Sequence, residues 1–136
     1  MKNKTLERLL TPPPESVVYE DDRLYVALAS FPMSLGHTVV VWKGGVSDIH
    51  LLPRGDFEYL MDMVDATRNA LMSVLAVSKV YLLYMDEVCD VHWHLVPRHE
   101  VEGLAALTAD PKRTDDFSLA TPLKKRFVEE KKKFVV

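Results

Sequence analysis

The chain has 136 residues, enough for one hydrophobic core and one domain. Hydrophobic residues make up 48% and charged residues 27%, an ordinary globular mix that excludes a wholly disordered chain. A formal net charge of −3 removes any global basic field that would favour nucleic acid, and one cysteine, Cys89, excludes an internal disulfide framework or a cysteine-rich zinc site. No apolar run approaches the roughly 18 residues needed to cross a bilayer, and Met1 to Leu10 alternates charge with leucine where a signal peptide would be apolar. The expectation is a cytoplasmic protein with neither membrane nor nucleic acid as partner.

In chain order, residues 1–14 end in Thr11-Pro12-Pro13-Pro14, which restricts φ and removes backbone donors, so they read as an extended lead-in. Val17–Tyr19 and Leu24–Leu28 read as a hairpin about Glu20-Asp21-Asp22, with Leu24, Val26 and Leu28 on one face. After a Phe31 to Gly36 loop, His37 to Trp42 is nearly apolar and β-branched, the pattern of a strand buried on both faces. Lys43-Gly44-Gly45 ends it. Asp56 to Val77 predicts the main helix, because Phe57, Leu60, Met61, Val64, Leu71, Val74 and Leu75 recur at helical spacing, with Asp56 as N-cap. Lys79–Met85 and Val88–Val96 read as two further strands about Asp86-Glu87, stopped by Pro97. Residues 99–120 look irregular. Thr121 as cap and Pro122 at the first position predict a last helix carrying Leu123 and Phe127, with Lys131-Lys132-Lys133 as a solvated face. Consecutive strands with short turns and one major helix favour an α+β antiparallel sheet over a doubly wound parallel one. The main domain is expected over 15–105, with 106–136 as a C-terminal extension.

The informative stretch is Asp90-Val91-His92-Trp93-His94-Leu95-Val96-Pro97-Arg98. On a strand, side chains alternate faces, so Asp90, His92 and His94 share one face while Val91, Trp93 and Leu95 anchor the other. Three titratable groups in a row are costly to bury unpaired, so their face is expected to line a cleft. Two chemistries fit. One imidazole can be a nucleophile with its neighbours binding an oxyanion. Alternatively, two imidazoles and a carboxylate can hold a metal, with His37 or His99 as a further ligand. Trp42 and Trp93 read as core anchors, Cys89 as core or rim packing, and His50 as a surface residue.

The same stretch resembles the strand motif of the histidine-triad (HIT) superfamily of nucleotide hydrolases and transferases, His-x-His-x-His followed by two apolar residues and often Pro-Arg. A second motif agrees: Phe31-Pro32-Met33-Ser34-Leu35-Gly36-His37 leads into Thr38-Val39-Val40-Val41, and Val18-Tyr19-Glu20-Asp21-Asp22 precedes it. The resemblance implies a five-stranded antiparallel sheet with one long helix. It implies a nucleotide-type substrate attacked at phosphorus by His92, with His94 and His37 donating to phosphate oxygens or assisting the leaving group. It implies no cofactor and no metal, and it allows a homodimer.

Three departures from the pattern stand out. Asp90 takes the place of the leading histidine and is expected to pair with His37 or another ring N–H. Ala29 occupies the position where such proteins often carry an acidic or amide residue for ribose hydroxyls, with Ser30 as a partial substitute. The turn Tyr84-Met85-Asp86-Glu87-Val88-Cys89 is short and acidic where many members have a phosphate-donor loop. Arg98 is a candidate for bidentate phosphate pairing. These departures keep two rivals open: a binding protein of the same fold without turnover, and a metal-dependent protein using Asp90, His92 and His94.

Overall fold

A computed structural model describes residues 11–86, 90–107 and 110–134. Strands β1 (Val17–Glu20), β2 (Leu24–Leu28), β3 (Thr38–Trp42), β4 (Val80–Tyr84) and β5 (His92–Pro97) form one antiparallel sheet in the order β1-β2-β3-β5-β4. Among the described residues, three α-helices accompany them: α1 (Arg54–Leu75), the short α2 (Leu104–Leu107) and α3 (Ala120–Lys131). The α+β antiparallel class expected from the sequence is the one observed.

The first hairpin closes through Asp21. Its carboxylate accepts from the backbone N–H of Arg23 at 2.7 Å and of Leu24 at 3.0 Å, an Asx turn. Tyr59 of α1 and Tyr19 of β1 also donate to it, the latter at 2.8 Å. Desolvation works against the charged form, but these four hydrogen bonds outweigh it and hold the carboxyl down at about 2. One carboxylate thus ties the hairpin to the helical layer.

Helix α1 starts two residues before the expected Asp56. Pro53 is its N-cap with no side-chain cap bond, and Asp56 lies inside the first turn, where a carboxylate favours the helix dipole. The fully buried stripe is Leu60, Met63, Val64, Ala66, Thr67, Ala70 and Leu71. Met63, not Met61, reaches the centre, because the stripe is shared between the sheet and α3, and the small side chains of Ala66 and Ala70 suit close helix packing. The helix ends with Ala76 in the left-handed region at φ 54°.

Helix α3 begins after Leu119, so Thr121 is not the cap and Pro122 is its third residue, still in the turn whose N–H groups need no helical acceptor. It packs on α1 and β1 and places Ala120, Leu123 and Phe127 in the same core cluster as Leu24, Val26, Val40 and Leu95. Lys131 leaves the expected solvated face. Its ammonium lies 4.4 Å from the Tyr19 ring centroid and donates to Tyr19 Oη at 2.8 Å. Residues 110–119 run without regular structure, pinned where Thr114 N–H donates to Ser30 C=O at 2.8 Å.

Strands β2 and β3 are buried on both faces, as β3 was expected to be. One face meets the helices. On the other, Tyr25, Ala27, Val39 and Val41 form a separate buried cluster.

Candidate active site

The histidines enter that second face by strand register. Residues directly opposite across antiparallel strands share a face. Val41 pairs with His92 and Val39 with His94, so both imidazoles stand beside the Tyr25 cluster. Trp93 points the other way and packs against Tyr84, ring centroids 5.2 Å apart. The interior anchoring by Val91 and Leu95, both fully buried, follows the expected alternation.

A chain of hydrogen bonds sets the protonation of each ring. Met33 N–H donates to His37 Nδ1 at 3.0 Å, so the neutral ring keeps its hydrogen on Nε2. His37 Nε2 lies 3.0 Å from His94 Nδ1 and donates to it, which places the His94 hydrogen on Nε2. His92 Nδ1 lies 2.8 Å from the carbonyl oxygen of Asp90, which can only accept. His92 therefore carries its hydrogen on Nδ1 and a bare lone pair on Nε2. The rings of His92 and His94 stand nearly edge to face, centroids 5.0 Å apart at 76°.

Electrostatics agree for His37 and His94. Burial, then the neighbouring His94, pushes His37 down to about 3, and burial, then His92, pushes His94 down to about 4. Both stay uncharged at neutral pH.

The expected Asp90–His37 pair does not form, because both nitrogens of His37 are already engaged. Nor does His37 present an N–H to a ligand; it acts on His94. Asp90 precedes β5 and touches His92 through its main-chain carbonyl. Arg98 also departs from expectation. Its guanidinium donates to Ser78 Oγ at 2.9 Å and lies 4.0 Å from Glu102, so it braces the strand end. Ser30 is buried, with its carbonyl committed to Thr114. His99 donates to Leu35 C=O at 2.8 Å and lines, with Met33, Ser34, Pro97 and Glu100, a cleft of about 400 Å³ beside the loop that holds His37. His50 is exposed and pairs with Asp48. Cys89 lies outside the described residues. Among those described, no three His, Cys, Asp or Glu side chains converge as a metal-holding group.

The loop itself depends on Gly36. Its φ is 89°, and a Cβ there would sit 2.5 Å from Leu75 Cδ1 and 3.4 Å from Pro97 Cγ. Ser34 Oγ ties the loop to Pro97 C=O at 2.7 Å. Sequence reasoning missed two residues that stand beside the histidines. Met33 acts through its backbone, which no side-chain motif reveals. Tyr25 was findable, since alternation places it opposite the Leu24, Val26 and Leu28 face.

The family described as HIT domain matches residues 11–101. The chain belongs to the HIT domain family. An uncharacterized HIT-like protein of Methanocaldococcus jannaschii is 28% identical over 107 residues, covering 75% of this chain and 83% of that protein. Among solved structures, a histidine triad protein from Marinobacter aquaeolei superposes with a TM-score of 0.72 at 18% identity, covering 90% of this chain and 94% of that one. A Hit-like protein of Bartonella henselae involved in cell-cycle regulation, solved with an unknown ligand, gives 0.71 at 17% identity, covering 93% and 98%. A zinc-bound histidine triad family protein from Mycobacterium smegmatis gives 0.68 at 19% identity, covering 91% of each. These likenesses establish the fold. HIT membership supports a nucleotide-related function in general terms. No helix among the described residues is long and apolar enough to cross a membrane.

Proposed function

We propose that the chain cleaves a phosphorus bond of a nucleotide-type substrate through a covalent intermediate on His92. The observation that carries this reading is the bond from His92 Nδ1–H to the Asp90 carbonyl, which leaves Nε2 as a free nucleophile. The Nε2 lone pair forms a phosphorus–nitrogen bond as the bond to the leaving group breaks and that group departs with the electron pair. Water then attacks phosphorus, the phosphorus–nitrogen bond breaks, its electrons return to Nε2, and the water's proton passes to solvent.

His94 Nε2–H is the donor next to this nitrogen. Held neutral at about 4, it is a hydrogen-bond donor to phosphoryl oxygens, not a store of protons. His37 is a positioning residue that fixes which His94 nitrogen carries hydrogen. Replacement of a histidine by Asp90 leaves the nucleophile oriented, because the contact uses a carbonyl that any residue supplies.

The test is turnover of a panel: a dinucleoside polyphosphate, a nucleoside phosphoramidate and a nucleotide sugar, with wild type and His92→Ala, each with and without chelator. The expected outcome is chelator-resistant turnover that falls by about 10³-fold or more in His92→Ala, with circular dichroism unchanged. Undiminished turnover in His92→Ala refutes the nucleophile. Turnover lost to chelator favours the metal reading, and binding without turnover favours a binding protein.

A further inference from the structure

We propose that Tyr25 contacts the substrate, its hydroxyl and the Asp90 carboxylate together holding a sugar hydroxyl beside His92. This rests on the reading of His92 above and adds the group that the same site recognises.

Tyr25 is 3% exposed, and its Oη has no hydrogen-bond partner. Buried hydroxyls are almost always satisfied, so an orphan marks a place that something else completes. Two other buried side-chain atoms among the described residues share that state. Trp93 Nε1 belongs to the side chain packed on the opposite face, and Glu130 Oε2 lies 2.7 Å from the Lys133 ammonium. Tyr25 is the one on the histidine face. It pairs in register with Val41, which pairs with His92, so Tyr25, Val41 and His92 form one row across β2, β3 and β5. Two strand spacings separate the ends of that row by roughly 10 Å of backbone, a gap that a long side chain and a small ligand group close together.

The surroundings decide what that group is. Burial, then the carboxylates of Asp90 and Glu20, push the ionisation of Tyr25 up, so its oxygen keeps its hydrogen and is a donor. For that hydrogen to be satisfied, the partner must accept it. A phosphate oxygen accepts but carries the same sign of charge as Asp90, and an ammonium donates but cannot accept. A hydroxyl does both and is neutral. It takes the Tyr25 hydrogen and gives its own to Asp90. Ala29, at the end of β2, offers only a methyl and does not compete for this role.

The experiment compares wild type, Tyr25→Phe and Asp90→Asn on the nucleotide substrate that wild type cleaves and on its 2′-deoxy and 3′-deoxy forms. It measures kcat, KM and thermal midpoint. Tyr25→Phe is expected to lower kcat/KM by about 5- to 30-fold on the full substrate, mainly through KM, with the midpoint unchanged or raised. Wild type is expected to disfavour one deoxy form by a similar factor, and both variants to lose that discrimination. Tyr25→Phe kinetics within about twofold of wild type, or wild-type discrimination retained in either variant, overturns the inference while leaving His92 untouched. A wild type that cleaves no member of the panel overturns the reading of His92 and this inference with it.

Discussion

The two imidazoles on the face of the sheet away from the helices are oriented by different means. His92 takes its orientation from its own chain, two residues back, through the Asp90 carbonyl. His94 takes its orientation from His37, 57 positions away in sequence, which is itself held by the Met33 amide in a loop shaped by Gly36. The orientation of His92 is therefore robust to its neighbours' side chains, while that of His94 depends on tertiary packing. That contrast means the orientation of His92 does not depend on which side chain stands at position 90, whereas that of His94 depends on His37.

The largest break in the comparison should come from Gly36→Ala. A side chain is strained at the positive φ and the added Cβ must push the end of Leu75 aside, so denaturant unfolding should show a loss of about 1–3 kcal/mol, with turnover reduced by displacement of His37. A variant as stable as wild type would show that the loop tolerates a side chain.

His37→Ala comes next. It should reduce kcat by about 10- to 100-fold with little change in KM, because His94 loses the partner that fixes its tautomer. An unchanged kcat would remove the relay from the mechanism. The same variant reports on pH. His37 and His94 bind protons in the folded state at about 3 and about 4, below the ordinary histidine value. Between those values and about 6.5 the unfolded chain holds protons that the folded chain does not. Their contribution to stability is complete above about 6.5 and is lost as pH falls towards 3. Urea midpoints measured from pH 7 to pH 4 should fall for wild type, and less steeply for His37→Ala.

Asp90→Ala sharpens the other side. It keeps the carbonyl, so turnover should fall by no more than about tenfold. Complete loss would give the carboxylate, and not the main chain, the decisive role. The smallest effect is expected at Ala76, next to the Leu75 that confines Gly36. Ala76→Gly relieves a φ of 54° and should raise stability by about 0.5–1 kcal/mol in thermal or urea unfolding.

Local signals were legible wherever a short period or a turn residue governs. The hairpin about Asp21, the doubly buried β3 and the alternation of Val91, Trp93 and Leu95 all follow from side-chain direction along a strand. Helix ends were less legible. Pro53 and Leu119 cap α1 and α3 without side-chain bonds, so the expected signals at Asp56 and Thr121 were present but unused. The choice of Met63 over Met61 depended on α3, which the sequence does not place.

By itself, the sequence determined which residues could do chemistry. His92 and His94 share a face because a strand has period two, and Gly36 precedes His37 because the chain must turn there. Only the tertiary structure decided what each does. The proton positions on three rings follow from hydrogen bonds between β5, a loop amide and a carbonyl, and Arg98 was drawn to Ser78 and Glu102 instead of the site. The physical reason is range: periodicity acts between neighbours along the chain, whereas a hydrogen bond at 3 Å selects its partner by position in space.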